Sequence, residues 1–264
     1  MKKLLIATAT LAALSTSAFA ADLARPLPPP VYKAPAMVPP PPCVWCGWYV
    51  GLNAGYAWGT YDTNTVSPGP PFSAPPANAT YSASESPNVR SNGFTGGGQI
   101  GYNWQVSSLV VGAESDFQYF GLRGTANTTV TPPGNVQVVS TTSVKSDWLF
   151  TARPRLGFTG GQWLVYATGG LAVADIKYAQ TNNYIGVVTE TGTISTTKAG
   201  WTAGGGVEAM VAPNWSIKAE YLYVDFGNTT TTVVNPFVSV PQTSFSHATD
   251  LKANIVRAGL NYHF

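Results

Sequence analysis

From Gly47 onward, apolar and polar side chains alternate along the chain with a period of two residues. The stretch GWYVGLNAGYAWG, residues 47 to 59, places Trp48, Val50 and Leu52 on one face and Asn53 on the other. Successive side chains of a β-strand point to opposite sides of the sheet. This alternation therefore predicts that the stretch forms a strand.

The same alternation recurs in seven further segments, so the chain is predicted to form eight strands. In each segment one parity carries the large apolar side chains, and the other carries glycine, amides and charges. The apolar sets of these seven segments begin at Phe94, Leu109, Trp148, Trp163, Trp201, Trp215 and Val256. Eight such strands in succession indicate an all-β fold.

Apart from Trp45, every tryptophan falls on the apolar parity and at an end of its segment. Amphipathic rings favour the boundary between hydrocarbon and water, and aromatic girdles at both rims are typical of transmembrane barrels. The predicted belts contain Trp48, Trp58, Trp104, Trp148, Trp163, Trp201, Trp215 and Phe264. We therefore predict an eight-stranded antiparallel transmembrane β-barrel whose apolar parity faces lipid.

Short and long connections alternate between the predicted strands. Only a few residues, VSS, TGG and PN, join strands two to three, four to five and six to seven. Outer-membrane barrels have short periplasmic turns and long outer loops, so both termini are expected in the periplasm. The long extracellular loops are predicted over residues 59–92, 121–146, 177–198 and 227–249.

The chain before the first strand is predicted to lie outside the barrel. A basic start, a short apolar stretch and an Ala-Phe-Ala cleavage site indicate a secretory signal peptide over residues 1–20. Residues 21–46 are predicted to be a proline-rich periplasmic linker that ends in a Cys-x-x-Cys pair. The barrel is then expected over residues 47–264.

Charged residues make up 10% of the chain, which is low against the usual ~25%. Removal of the signal peptide takes Lys2 and Lys3 from the 14 basic residues and leaves 12, equal to the 12 acidic residues. A mature chain without net charge is not expected to bind nucleic acid.

The strand charges fall on the polar parity and at similar distances from the short turns. They are Glu114, Asp116, Arg153, Arg155, Glu208, Lys218, Glu220 and Arg257. Because side chains roughly fill an eight-stranded barrel, we expect these four acids and four bases to meet in one layer. The expected pairs are Glu114 and Asp116 with Arg153 and Arg155, and Glu208 with Lys218. The layer is interpreted as a salt-bridged plug, with a proton relay or a gated narrow pore as alternatives.

Pro154 lies in the middle of the fourth predicted strand, within ARPRLGF. Proline cannot donate a ladder hydrogen bond, and a closed sheet has no edge strand that would tolerate the loss. A β-bulge is therefore expected at Pro154.

Cys43 and Cys46 stand directly before the first strand, and the signal peptide places them in an oxidising compartment. No second cysteine pair completes a zinc site, and no βαβ pattern surrounds the pair. A local disulfide is predicted. Free thiols, intermolecular bridges and a catalytic dithiol are the alternatives.

Five basic residues lie where the strands are expected to give way to the outer loops. They are Arg123, Lys145, Lys177, Lys198 and Lys252. Phosphates of lipopolysaccharide would lie at this level and would accept charge-assisted hydrogen bonds from them. The alternative is that the five bases are only solvated.

The chain has two histidines, His247 and His263. The predicted outer loops bring together neither a serine, a histidine and an acid nor a pair of carboxylates, so an enzyme is not expected. No cofactor and no metal are predicted. Haemin binding through His247 is an alternative, because imidazole is a usual axial ligand of haem.

A soluble lipocalin-like barrel would have the same number of strands with the opposite facing, apolar inside. Its interior would then have to hold all the aromatic residues, while arginine and glutamate faced water. The signal peptide, the alternating connections and the tryptophan belts favour the transmembrane barrel.

The segments WYVGLNAGYAWG, DWLFTARPRLGF, LVYATGGLA, AEYLYVDFG and GLNYHF resemble the RopB-type outer-membrane surface antigens of alpha-proteobacteria. This porin-like family has an OmpA-like eight-stranded barrel, and the resemblance covers the mature chain. It implies insertion by the barrel-assembly machinery through the strand ending in Phe264, contact with outer-membrane lipid, and roles in envelope integrity and surface interaction through the long loops. Some relatives are credited with porin activity or haemin binding, and a monomer is favoured. The family explains neither the Cys43 and Cys46 pair nor Pro154.

Overall fold

The computed structural model describes residues 43–66, 88–131, 137–184, 188–234 and 244–264. Its eight strands are β1 (Gly47–Val66), β2 (Asn88–Val106), β3 (Leu109–Val130), β4 (Val138–Gly160), β5 (Trp163–Tyr184), β6 (Val188–Ala212), β7 (Trp215–Val234) and β8 (Ser244–His263). The predicted signal peptide and all of the predicted linker before Cys43 lie outside the described residues. Among the residues that are described, no helix has the length and apolar character to span a bilayer.

The eight strands form one closed antiparallel barrel in chain order. β1 pairs with β2 on one side and with β8 on the other, so the sheet has no free edge. Closure allows every strand to satisfy its backbone hydrogen bonds within the sheet, as hydrocarbon surroundings require. The predicted fold class is confirmed.

The two ends of the barrel differ in their connections. Two-residue turns join β2 to β3, β4 to β5 and β6 to β7, at Ser107-Ser108, Gly161-Gln162 and Pro213-Asn214. Ser107 and Gly161 have φ angles of 57° and 73°, in the left-handed region that tight hairpin turns use. We call this end, which also holds Phe264, the turn end, and the opposite end the extended end.

The exterior of the barrel is apolar between two rings of aromatic side chains. On β1, Leu52 is 70% exposed whereas the inward Tyr49 is fully buried. The ring at the turn end contains Trp48, Trp104, Phe158, Trp163, Trp215 and Phe264, and the ring toward the extended end contains Trp58, Phe94, Tyr119, Trp148, Trp201 and Tyr223. An apolar band flanked by such rings is the surface that contacts hydrocarbon.

At the extended end the strands continue well beyond the second aromatic ring. Residues 121–130 and 138–146, predicted as parts of one loop, belong to β3 and β4, and only residues 185–187 separate β5 from β6. The predicted loop boundaries are therefore wrong. These segments are rich in threonine, serine and valine, and the β-branched residues among them favour strands even where the exterior is in water.

The bulge expected at Pro154 is not found. The register of β4 with β3 is continuous there, and the register with β5 is the same on both sides of Pro154, with Ala152 opposite Leu171 and Arg155 opposite Thr168. Thr168 Oγ1 donates a hydrogen bond of 2.8 Å to the carbonyl oxygen of Pro154. The prediction was wrong because the missing N–H interrupts the ladder locally without requiring an extra residue.

Three register shifts lie close to the second aromatic ring. They fall between Tyr119 and Leu122 in β3, between Lys145 and Leu149 in β4, and between Asp225 and Asn228 in β7. In β4 the carboxylate of Asp175 accepts the N–H groups of Asp147 and Trp148 at 2.8 and 2.9 Å. Bulges of this kind redirect side chains, and here they occur at the level where the apolar exterior ends.

Candidate functional site: the barrel lumen

All eight charged residues predicted on the polar parity point into the lumen, and none is more than 4% exposed. They are contributed by β3 (Glu114, Asp116), β4 (Arg153, Arg155), β6 (Glu208), β7 (Lys218, Glu220) and β8 (Arg257). Direct ion pairs connect all eight into one network. We refer to this network as the charged layer.

Arg153 forms ion pairs with three of the four acids of the charged layer. Its Nη2 donates to Glu114 Oε1 and to Asp116 Oδ2, both at 2.8 Å, and its Nη1 donates to Glu220 Oε1 at 3.3 Å. Glu114 is the register partner of Arg153 on the neighbouring strand. A planar guanidinium with several donors suits this position, because it can serve three carboxylates at once.

Other contacts cross the lumen instead of joining neighbouring strands. Lys218 Nζ donates to both carboxylate oxygens of Glu114 at 2.8 Å, and Arg155 Nη2 donates to Glu208 Oε2 at 2.6 Å. The sequence predicts that Glu208 faces Lys218, which is its register partner. The two residues face each other as expected, but each forms its close ion pair across the lumen, because long side chains in a narrow barrel reach the opposite wall.

Two tyrosines, which the sequence analysis did not single out, complete the charged layer. Tyr49 Oη donates to Glu114 Oε2 and accepts from Arg155 Nη1, each at 2.8 Å. The guanidinium of Arg155 also lies 4.0 Å from the ring centroid of Tyr166, within cation–π range. A Cβ atom at Gly101 would lie 2.3 Å from the Tyr49 ring, so glycine at this inward position makes room for the tyrosine.

The charged layer contains four acids and four bases and so has no formal net charge. Each member has an ion-pair partner at 2.8 Å or less. Removing charges from water is costly, and only close, well-oriented partners offset the cost. The layer therefore ties five of the eight strands together across the lumen.

A second tier of side chains, this time apolar, fills the lumen toward the extended end. It consists of Ala57, Tyr61, Val89, Phe120, Leu122, Val144, Leu149, Ala172, Ala174, Ile176, Leu222, Val224, Phe226, Leu251, Ala253 and Ile255. We call this set the apolar tier. Parity alone predicts polar side chains throughout the lumen, so the apolar tier was not predicted from the sequence. The signal was present in β7, where the inward parity changes from Glu220 to Leu222 and Val224.

Trp45, the tryptophan that did not fit the predicted belts, enters the lumen at the turn end and is fully buried. Its Nε1 donates to the carbonyl oxygen of Gly161 and its backbone N–H donates to Gln105 Oε1, both at 3.1 Å. The indole meets His263 edge to face, with ring centroids 5.8 Å apart. It packs in one cluster with Val110, Leu164 and Tyr166. The indole thus covers the turn-end side of the charged layer.

A disulfide joins Cys43 to Cys46 and encloses Trp45 in a four-residue loop. Gly47 follows the loop with a φ of 105°, a conformation that residues with a Cβ atom rarely adopt. The cysteine spacing and the compartment predict a local disulfide but indicate no role for it. In the structure it constrains the loop that carries the buried indole.

Ser216, His263 and Glu208 lie together in the lumen, which the sequence analysis did not anticipate. Ser216 Oγ is 2.9 Å from His263 Nε2 and donates to Glu208 Oε1 at 2.5 Å. In a catalytic triad the acid holds the other imidazole nitrogen, whereas here Glu208 faces Nε2 at 3.6 Å. All three side chains are buried. The group is therefore a hydrogen-bonded part of the packed lumen.

His247, the candidate ligand in the haemin-binding alternative, belongs to β8 and not to a loop. Its side chain lies outside the part of the chain whose side chains are described. Within the described part, no group of three or more His, Cys, Asp or Glu residues could hold a metal ion.

The five basic residues expected at the rim do not form one group. Arg123 is opposite Lys145, and Lys145 is opposite Lys177, so these three lie side by side on β3, β4 and β5. Lys198 and Lys252 lie elsewhere, on β6 and β8.

Residues 37–264 match the family model of the outer membrane protein beta-barrel domain. The chain belongs to this family. The 31 kDa outer-membrane immunogenic protein of Brucella melitensis is 36% identical over 266 residues, which covers 100% of both chains. The 25 kDa outer-membrane immunogenic protein of Brucella abortus is 29% identical over 231 residues, or 86% of each chain. The family of outer-membrane surface antigens inferred from the sequence is confirmed.

Among solved structures, the outer membrane protease OmpT from Escherichia coli matches this chain with a TM-score of 0.45 at 9% sequence identity. The match covers 82% of this chain and 96% of that one.

Proposed function

We propose that this outer-membrane protein is a closed structural barrel that does not conduct solutes. The observation that carries the proposal is the stacking of three fillings along one lumen. Trp45 lies at the turn end, the charged layer follows, and the apolar tier fills the lumen beyond it. Eight strands enclose little more than the volume of their own inward side chains, so such a lumen leaves no continuous aqueous path.

The proposed orientation places the turn end in the periplasm and the extended end outside the cell. Short turns on the periplasmic side and longer extracellular segments are usual in outer-membrane barrels. The disulfide between Cys43 and Cys46 supports this orientation, because the periplasm is oxidising.

The proposed role is mechanical and interactive, not catalytic. The extended strands present polar outward side chains such as Thr125 and Asn127, which suit contact with water and with other surface molecules. Two relatives are named as immunogenic proteins, which supports exposure of the extended end at the cell surface. Ser216, His263 and Glu208 lack both the orientation and the access that catalysis needs.

Planar-bilayer recording on refolded protein tests the closed barrel against the narrow-pore alternative. We expect no discrete conductance steps from the wild type. Trp45→Ala is expected to stay closed as well, because the charged layer and the apolar tier remain, and the exterior variant Trp48→Ala is its matched control. Discrete wild-type steps that change with Arg153→Ala would contradict the proposal and establish an ion path through the charged layer.

A further inference from the structure

Arg123, Lys145 and Lys177 form a row of cations on the exterior of β3, β4 and β5. Arg123 is the register partner of Lys145, and Lys145 is the register partner of Lys177. All three side chains are exposed. Like charges directly opposite each other in a sheet repel and destabilise the pairing. A row of this kind is stabilised when an anion binds between its members.

Neutralisation within the barrel wall is incomplete. Lys177 forms ion pairs with Asp147 and with Asp175, the latter at 3.3 Å. Arg123 and Lys145 form no direct ion pair with any residue that the structure describes. Asp175 is already engaged by the two N–H groups of the β4 bulge. The three bases of the row therefore exceed the two neighbouring carboxylates, Asp147 and Asp175, by one positive charge.

A surface depression of about 330 Å³ adjoins this row. It is lined by Lys145 and Lys177 together with Ser143, Tyr178, Ala179, Thr193 and Ser195. Ala179 is opposite Ser143 on one side and Thr193 on the other, so a methyl group lies between hydroxyl-bearing neighbours. Ammonium groups and hydroxyl groups around a small side chain can donate hydrogen bonds to the oxygen atoms of a phosphate.

The depth of the row identifies the source of the phosphate. Tyr119 and Trp148 are register partners in the aromatic ring near the extended end. The register between β3 and β4 shifts directly after them, and the pair Arg123 and Lys145 lies just beyond this shift. Aromatic rings mark the boundary between hydrocarbon and lipid headgroups. Arg123 and Lys145 therefore lie level with the headgroups of the surrounding leaflet.

We propose that this depression binds a phosphate group on a glycolipid headgroup of the outer leaflet, the chemistry that lipopolysaccharide presents. Lys145 and Lys177 contact the phosphate as cations, Thr193 and Ser195 donate hydrogen bonds, and Arg123 extends the site along the row. The proposal rests on the orientation proposed above, with the extended end outside the cell. Of the five bases expected at the rim, the proposed site contains the three on β3, β4 and β5 and excludes Lys198 and Lys252.

Binding of bisphosphorylated lipid A to the refolded mature chain in detergent tests the proposal, with native mass spectrometry as the readout. The double variant Arg123→Gln/Lys145→Gln is expected to bind the lipid about tenfold more weakly, because charge-assisted contacts are lost. Lys177 is left in place because Asp147 and Asp175 depend on it. The matched control is Lys252→Gln, a base of the same rim on β8, which should leave binding unchanged.

Three results would overturn the proposal. Equal binding of dephosphorylated lipid A would show that the phosphate is not recognised. Displacement of the lipid by an excess of inorganic phosphate would assign the site to free phosphate. If Lys252→Gln weakens lipid A binding as much as the double variant does, the loss reflects general electrostatic attraction and not a specific site. None of these results depends on conductance, so a conducting barrel that binds the lipid refutes only the closed lumen.

Discussion

The lumen has two halves of opposite chemistry. In the half toward the turn end, the inward positions carry buried ion pairs such as Glu220 with Arg257, whose Nη2 lies 2.6 Å from the carboxylate. In the half toward the extended end, the inward positions carry Phe120, Leu222 and Ile255, all fully buried. On β7 the change occurs between two successive inward residues, Glu220 and Leu222.

What lies outside the wall explains the difference. Where hydrocarbon surrounds the barrel, the apolar side chains lie on the exterior. Because the backbone groups have no water to bind there, they must form hydrogen bonds within the sheet, and this holds the barrel closed. The interior can then be polar if its charges are paired. At the level of the second aromatic ring, where Leu222 adjoins Tyr223, the exterior passes from hydrocarbon to water. There the wall needs an apolar interior, as a soluble barrel does. A single strand therefore has polar inward side chains where lipid surrounds the barrel and apolar inward side chains where water surrounds it.

The largest expected effect comes from breaking the charged half. Glu220 accepts from Arg257 Nε at 2.7 Å and from Tyr166 Oη at 2.9 Å, and it also faces Arg153. Glu220→Gln keeps the volume but leaves buried guanidinium groups short of an anion. We expect the free energy of unfolding to fall by about 3–5 kcal/mol, measured by urea titration in lipid vesicles with tryptophan fluorescence.

Salt provides the control for this variant. Because the ion pairs are shielded from solvent, the loss should be the same at low and high ionic strength. A loss below about 1 kcal/mol, the range of exposed pairs, would mean that the charged half contributes no more than a surface salt bridge.

Local patterns predicted the exterior well. The side-chain period of two is visible in a few residues, so the sequence was sufficient for the number of strands, the outward aromatic residues and the short turns. Trp48 and Leu52 needed no knowledge of any other strand. The eight charged residues were also assigned to the lumen on parity alone.

The rest depends on depth and on partners from distant strands. The apolar tier was missed because parity does not tell at which residue the surroundings change from lipid to water, as at Leu222. Lys218 reaches Glu114 because of the width of the lumen, which no single strand encodes. Trp45 precedes the first strand and is buried through contacts with distant residues such as Gly161. Its burial therefore cannot be predicted from the residues around it in the sequence.

The exterior of the two halves can be compared by the same substitution at two depths. Ala167 is exposed in the apolar band of β5, and Asn127 is exposed on the extension of β3. Ala167→Arg is expected to cost about 2–4 kcal/mol of unfolding free energy, because the charge enters hydrocarbon. Asn127→Arg, the matched control in water, should have little effect. Equal losses in urea titrations of the two variants would refute the boundary placed at the second aromatic ring.

The smallest effect is expected where the lumen meets the turn end, at the loop that carries Trp45. A disulfide across so short a loop contributes about 2 kcal/mol at most, and opening the loop is a local event that leaves the barrel closed. Cys43→Ser/Cys46→Ser should therefore keep the urea midpoint of the barrel while making one tryptophan more accessible to acrylamide. Trp45→Phe in the same background identifies that tryptophan, because the added quenching should disappear. If the midpoint itself falls as far as in Glu220→Gln, the loop is part of the cooperative lumen, and the division into halves must be redrawn to include it.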